Sequence, residues 1–194
     1  GKPLVVPDGV LVRNVYSCIN FTDIYFKNQL YAKSMPFTLG REGVGFVEGT
    51  EERVAYFPAS SYSEFSLVNP ENLVPLLGLP FEKGCWLMPT MTAIMLSDLV
   101  EVTPDDVCVV YACSGGVGSI LTQIMRQKCK VVGVTSKPEY AKEYIDAINY
   151  SDLHKVRNAR IVFDGLGQHY FDTSLELLGF KGHLVSYGNA TGKV

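Results

Sequence analysis

No run of about 18 uncharged apolar residues occurs in the 194-residue chain, so no segment is expected to span a membrane. Gly1-Lys2-Pro3-Leu4 lacks the long apolar core of a signal peptide. A basic excess is missing too. Lys and Arg number 17 against 20 Asp and Glu, for a net charge of -3. That balance removes the positive field on which backbone-driven nucleic-acid binding depends. No Cys-x-x-Cys pair exists, and the cysteines are odd in number: Cys18, Cys85, Cys108, Cys113 and Cys129. Most lie in apolar surroundings such as Asp106-Val107-Cys108-Val109-Val110, which points to reduced, buried thiols in a cytoplasmic protein. The three histidines, His154, His169 and His183, show no metal-ligand spacing. Internal repeats, heptads and low-complexity tracts are absent. What remains is a chain 47% hydrophobic and 19% charged, able to bury a core without staples.

The two halves differ in grammar. The first reads as short strands and turns: residues 10–15, 43–48, 53–57 and the alternating Ser63-Glu64-Phe65-Ser66-Leu67-Val68. Frequent prolines punctuate it, as in an irregular, mostly antiparallel barrel. The pattern changes near Cys85-Trp86-Leu87-Met88, and only Pro104 and Pro138 follow residue 90. Strands at 107–112, 131–135, 159–164 and 183–187 then alternate with helices at 118–128, from Pro138, and at 170–178. Strands apolar on both faces between helices mean a doubly wound α/β sheet of parallel strands.

Tyr111-Ala112-Cys113-Ser114-Gly115-Gly116-Val117-Gly118 joins the first of these strands to its helix. Doubly wound sheets bind pyrophosphate at this position, where glycines let the backbone approach and the helix start offers N–H groups. The spacing is not the strict G-x-G-x-x-G, and an ordinary tight turn is the competing reading. The next strand ends Val134-Thr135-Ser136-Lys137-Pro138, with no acid before Glu139. An NAD site wants an acid there for the ribose hydroxyls. Ser136 and Lys137 suit a 2′-phosphate instead, which favours NADPH. Cys113, beside the loop, is a candidate for sensitivity to thiol reagents.

In combination these motifs resemble the zeta-crystallin-type quinone oxidoreductases of the medium-chain dehydrogenase/reductase superfamily. Asn20-Phe21-Thr22-Asp23-Ile24-Tyr25 is similar to that family's N-F-x-D-x-Y segment. Leu30-Tyr31, Pro36 to Glu42, Arg53-Val54-Ala55-Tyr56, Thr92-Ala93, the loop at 112–118, Ile148-Asn149-Tyr150, Asp164-Gly165-Leu166-Gly167 and Val185 to Ala190 follow in the family's order. The resemblance implies a GroES-like irregular β-barrel catalytic domain (1–92) and a Rossmann-type NADP-binding domain (93–194). Family members are longer, so it also implies that the last strand of the nucleotide sheet and the segment returning to the catalytic domain are absent from this chain.

The resemblance further implies residue roles. Asn20, Tyr25 and Tyr31 would be the catalytic positioning groups. Asn20 and Asp23 would line the nicotinamide cleft, and Thr92 would sit near the nicotinamide end. Gly115, Gly116 and Val117 would hold the pyrophosphate. Ser136, Lys137 and Tyr150 would grip the 2′-phosphate. Gly165 would pass close to the cofactor, and Tyr187, Gly188 and Asn189 would meet the carboxamide. Zinc-dependent relatives carry a cysteine where Asn20 stands and a histidine where Arg41 stands, so no metal is expected. The implied reaction is metal-free reduction of a quinone by NADPH. The alternatives are an alkenal or enone reductase, or a non-catalytic crystallin-like protein that binds nucleotide or A/U-rich RNA. The acidic balance opposes strong RNA affinity, although Lys128, Lys130 and Lys137 offer a local basic patch. A homodimer through the strand near Gly182 to Tyr187 is implied as well.

Overall fold

The structure is a computed structural model and describes residues 5–6 and 9–194. Two compact units emerge, one extending to Met88 and one beginning at Pro89.

The first unit holds a sheet in which every pairing is antiparallel. Its strands are β1 (Val5–Val6), β2 (Gly9–Cys18), β3 (Glu42–Val47), β4 (Arg53–Tyr56), β5 (Phe65–Val68) and β6 (Leu73–Pro75). The order is β1-β2-β3-β4-β6, and β5 branches off β2. β5 alternates exposed and buried residues, as its sequence predicts. β4 buries both faces: Val54 and Tyr56 enter one apolar cluster with Val12 and Val68, whereas Ala55 joins Val44 and Leu76 in another. Gly43 faces Tyr56 across the β3–β4 pairing, and a Cβ there would lie 2.3 Å from the tyrosine hydroxyl. That hydroxyl is 2.6 Å from Asn14 Oδ1 and 2.8 Å from Ser66 Oγ, so the ring is buried with its polar end satisfied. Two helices complete the unit, α1 (Phe21–Lys27) and α2 (Phe81–Gly84). α1 begins where it does because the Asp23 carboxylate accepts the Asn20 N–H at 3.0 Å, half of a capping arrangement.

Helix α3 (Leu87–Ser97) leads into the second unit, where its residues Ala93 and Leu96 enter the core. The second sheet comprises β7 (Val107–Tyr111), β8 (Lys130–Val134), β9 (Ala159–Asp164) and β10 (Leu178–Ser186). All pairings are parallel and the order is β10-β9-β7-β8. The chain leaves β7 to β8 on one side and returns to β9 on the other. That reversal makes the carboxyl end of β7 a topological switch point. Helix α4 (Gly116–Met125) follows β7 and buries Leu121 and Met125 completely. Each such burial stabilises by roughly 1.5–3 kcal/mol. Helix α5 (Phe171–Leu177) precedes β10.

One expected element is not formed. The helix from Pro138 is only a 3-10 turn over Pro138–Tyr140, followed by a single helical turn in which the Ile145 N–H reaches the Ala141 carbonyl at 2.9 Å. The segment is tethered at both ends. The Thr135 N–H bonds the Ile148 carbonyl (3.0 Å), and the Ile148 N–H bonds the Gly133 carbonyl (2.9 Å). So short a clamped span gives a costly helical nucleus too little length to propagate. Ala141, Tyr144 and Ile145 still face the core.

Candidate functional site

The second unit gathers its chemistry at the carboxyl ends of its strands. Ala112 turns the chain out of β7 with φ at +51°, a left-handed conformation uncommon for a residue with a Cβ. The Ala112 N–H donates to the Tyr150 hydroxyl at 3.0 Å. Tyr150 packs edge-on to Tyr111 and tilted against Tyr170, and burial pushes its hydroxyl up to about 12. The three glycines of the loop are not equivalent. A Cβ on Gly118 would lie 2.2 Å from the Ala112 carbonyl oxygen, so helix and turn are in backbone contact there. On Gly116 it would meet nothing nearer than Pro89 Cβ at 3.6 Å, and on Gly115 the nearest atom is the Ala112 oxygen at 3.2 Å. Gly115 and Gly116 are exposed. The first-turn N–H groups of α4, at Gly116, Val117 and Gly118, have no intrahelical acceptor. The result is an open backbone cradle with the positive end of the helix dipole behind it.

Thr135, at the end of β8, was not among the expected site residues, yet it joins two parts of the site. Its hydroxyl is 2.6 Å from Ser114 Oγ in the loop and accepts the Lys137 N–H at 3.2 Å. Ser136 and Lys137 are exposed just beyond it, and the Lys137 ammonium lies 5.2 Å from the centroid of the Tyr140 ring. No acidic side chain occupies the end of β8. Further along the same edge, Asp164 is fully buried and its Oδ1 accepts the Leu166 and Gly167 N–H groups at 2.8 and 3.0 Å. Gly165 and Gly188 lie in backbone contact: a Cβ on Gly188 would be 2.4 Å from the Gly165 oxygen, and one on Gly165 would strike the Tyr187 ring. Asn189 follows, partly buried, and Thr92 lies partly buried on α3.

In the first unit the expected residues cluster around α1. The Asn20 Nδ2 donates to Glu42 Oε2 at 2.8 Å, and the other Glu42 oxygen accepts the Met88 N–H at 2.8 Å. Glu42 is fully buried, and desolvation raises its carboxyl above the ordinary range despite these bonds. Asp23 Oδ2 accepts from Tyr62 at 3.0 Å as well as from the Asn20 N–H, whereas its buried Oδ1 has no hydrogen-bond partner. Tyr25 is buried with its ring edge-on to Phe21 and Tyr31, at 5.4 and 5.2 Å. Tyr31 is exposed and also meets Phe26 at 5.6 Å. Arg41 lies over Phe26 and Phe57.

Two expectations for the surface change. Cys113 is fully buried and burial pushes its thiol up to about 11, which opposes the thiolate that reagents attack. The basic patch is neutralised in part: Lys128 pairs with Asp98 at 3.0 Å and Lys130 with Asp105 at 3.2 Å. Among the described residues no group of three or more His, Cys, Asp or Glu could hold a metal ion. No helix among them is long and apolar enough to cross a membrane.

Residues 6–60 match the family described as "Alcohol dehydrogenase GroES-like domain". The "Quinone oxidoreductase" of Pseudomonas aeruginosa is 33% identical over 97% of this chain and 67% of its own length. This chain belongs to the quinone oxidoreductases. Within that family, the solved Escherichia coli quinone oxidoreductase, complexed with NADPH, superposes with a TM-score of 0.86 at 26% identity, covering 100% of this chain and 69% of that one. The "Prostaglandin reductase-3" of Bos taurus is 28% identical over 98% of this chain and 58% of its own length. The medium-chain dehydrogenase/reductase fold joins a GroES-like domain to the parallel nucleotide sheet. The chain spans about two thirds of the length of its quinone oxidoreductase relatives.

Proposed function

We propose that this chain binds NADPH and reduces a quinone without a metal ion. The observation that carries the reading is the asymmetry of the glycine loop. Gly118 is sealed against Ala112, while Gly115 and Gly116 leave an open, N–H-lined cradle at the switch point. A pyrophosphate fits that cradle, and the acid-free end of β8 suits a 2′-phosphate on Ser136 and Lys137. In this reading Tyr150 supports the loop through Ala112, and its own hydrogen stays available to donate. Gly165, Tyr187, Gly188 and Asn189 form the nicotinamide side at the ends of β9 and β10.

Bound NADPH supplies a hydride, and the acceptor takes up one proton from water. Asn20, Tyr25 and Tyr31 orient the acceptor. Two residue identities favour a metal-free reaction: Asn20 commits its amide to Glu42, and Arg41 is a cation, so neither is a zinc ligand. A quinone accepts electrons readily enough to need no Lewis acid, so positioning and exclusion of water are what the protein contributes. The resemblance to a prostaglandin reductase keeps an enone acceptor as the second reading. The ion pairs of Lys128 and Lys130 weigh against an RNA-binding role. A homodimer through the strand that carries Gly182 to Tyr187 belongs to the same reading.

The test is NADPH consumption, followed by its absorbance, with an ortho- and a para-quinone and with an enone. Faster turnover of the quinones supports the reading. Turnover of the enone alone selects the second reading, and calorimetry that detects no NADPH binding refutes both.

A further inference from the structure

Three cations of the first unit, Arg41, Lys33 and Arg53, rest on aromatic rings instead of on carboxylates; Arg53 lies over Phe81, apart from the other two. The Arg41 guanidinium carbon is 4.9 Å from the Phe26 centroid and 5.4 Å from that of Phe57. The Lys33 ammonium is 4.9 Å from the Phe37 centroid. Phe26 meets Phe37 and Tyr31 edge-on, at 6.4 and 5.6 Å, so Arg41 and Lys33 belong to one aromatic cluster that includes Tyr31. Among the described residues neither of these two forms an ion pair.

Two acids of the unit bond to other groups. Glu42, next in sequence to Arg41, turns into the core to receive Asn20 and the Met88 N–H. Asp23 receives Tyr62 and the Asn20 N–H. Arg41 is half-buried and, among the described residues, has no carboxylate in ion-pair contact. Ring contacts attract the face of a guanidinium and hold its plane, and the N–H donors at its rim remain for an oxyanion. A partly desolvated cation gains more from such a partner than an exposed lysine does.

The geometry points to Arg41 as the residue that selects the acceptor: an electron-poor ring or enone carrying a carboxylate or sulfonate, its ring against the aromatic cluster and its anion on the guanidinium. This rests on the reductase reading above and adds the substrate class to it.

The test compares a naphthoquinone sulfonate with unsubstituted naphthoquinone, using NADPH and the wild-type chain, Arg41→Gln and Arg41→Lys. Arg41→Gln is expected to lower kcat/KM for the sulfonate roughly ten- to hundredfold and to leave the neutral quinone nearly unchanged. Arg41→Lys should restore part of the loss, because it keeps the charge but not the planar fork. Equal loss for both quinones, or no loss, overturns the proposal. So does a parallel loss of NADPH affinity in calorimetry, which would assign the guanidinium to a phosphate of the cofactor. If the wild-type chain reduces neither quinone, the reductase reading fails by itself. Naphthalene sulfonate, which cannot be reduced, then decides: tighter binding to wild type than to Arg41→Gln upholds the anion site, and equal binding removes it.

Discussion

The hydroxyl of Tyr150 accepts the backbone N–H of Ala112 at 3.0 Å, so a residue far along the chain fixes the turn that opens the glycine loop. Ala112 holds a left-handed conformation there, and its N–H is received by that hydroxyl. Tyr150→Phe is expected to cost about 1–3 kcal/mol of stability by leaving that donor unpaired. It should weaken NADPH and NADH alike, because the whole cradle moves. A denaturant titration and calorimetry with both dinucleotides check this; a loss confined to NADPH would place the hydroxyl on the 2′-phosphate alone.

The loop glycines should separate by substitution. Gly118→Ala forces a methyl to within 2.2 Å of a backbone oxygen and should destabilise the fold by several kcal/mol. Gly116→Ala has room and replaces a helical glycine, so the melting temperature should hold or rise slightly. Gly116→Val should keep the fold and lose both cofactors. Retained affinity in Gly116→Val would move the pyrophosphate elsewhere.

Lys137→Ala should weaken NADPH by roughly 1–3 kcal/mol, the size of a hydrogen bond to a charged group, and should leave NADH nearly untouched. Calorimetry of the pair gives the answer. Equal weakening of the two would show that the lysine does not read the 2′-phosphate.

Glu42 predicts a pH dependence of stability. Burial raises its carboxyl above the ordinary value of 4.5, so the folded state holds that proton more tightly than the unfolded chain does. Its contribution is fully present below that ordinary value and is lost as pH rises through the folded value. Urea midpoints should therefore fall with rising pH across this window in the wild type and fall less in Glu42→Gln. Parallel curves for the two proteins would remove Glu42 as the source.

Much of the fold is legible in the residues themselves. The apolar run Val107 to Tyr111, the glycines after it and the spacing of Leu121 and Met125 specify strand, loop and helix locally. Phe65 to Val68 states its alternation outright. The failures are non-local. Nothing in Pro138 to Ala147 announces that both ends are tied to β8 through Thr135, Gly133 and Ile148. β2 runs on to Cys18, beyond the expected limit, because β3 pairs along it, although Val15 and Tyr16 are exposed. In the candidate site, the loop is legible because its glycines are contiguous. The Thr135–Ser114 contact and the rings around Arg41 are not, since a hydroxyl pair and rings from separate segments become visible only once the chain is folded.

The Thr135 hydroxyl has a consequence for how coenzyme choice can change. It fastens the strand end to Ser114 and steadies Lys137 from the backbone side, leaving the Ser136 and Lys137 side chains outside that clasp. In the site proposed above, exchanges at those two surface positions would retune the preference for one dinucleotide over the other without disturbing the Thr135–Ser114 clasp.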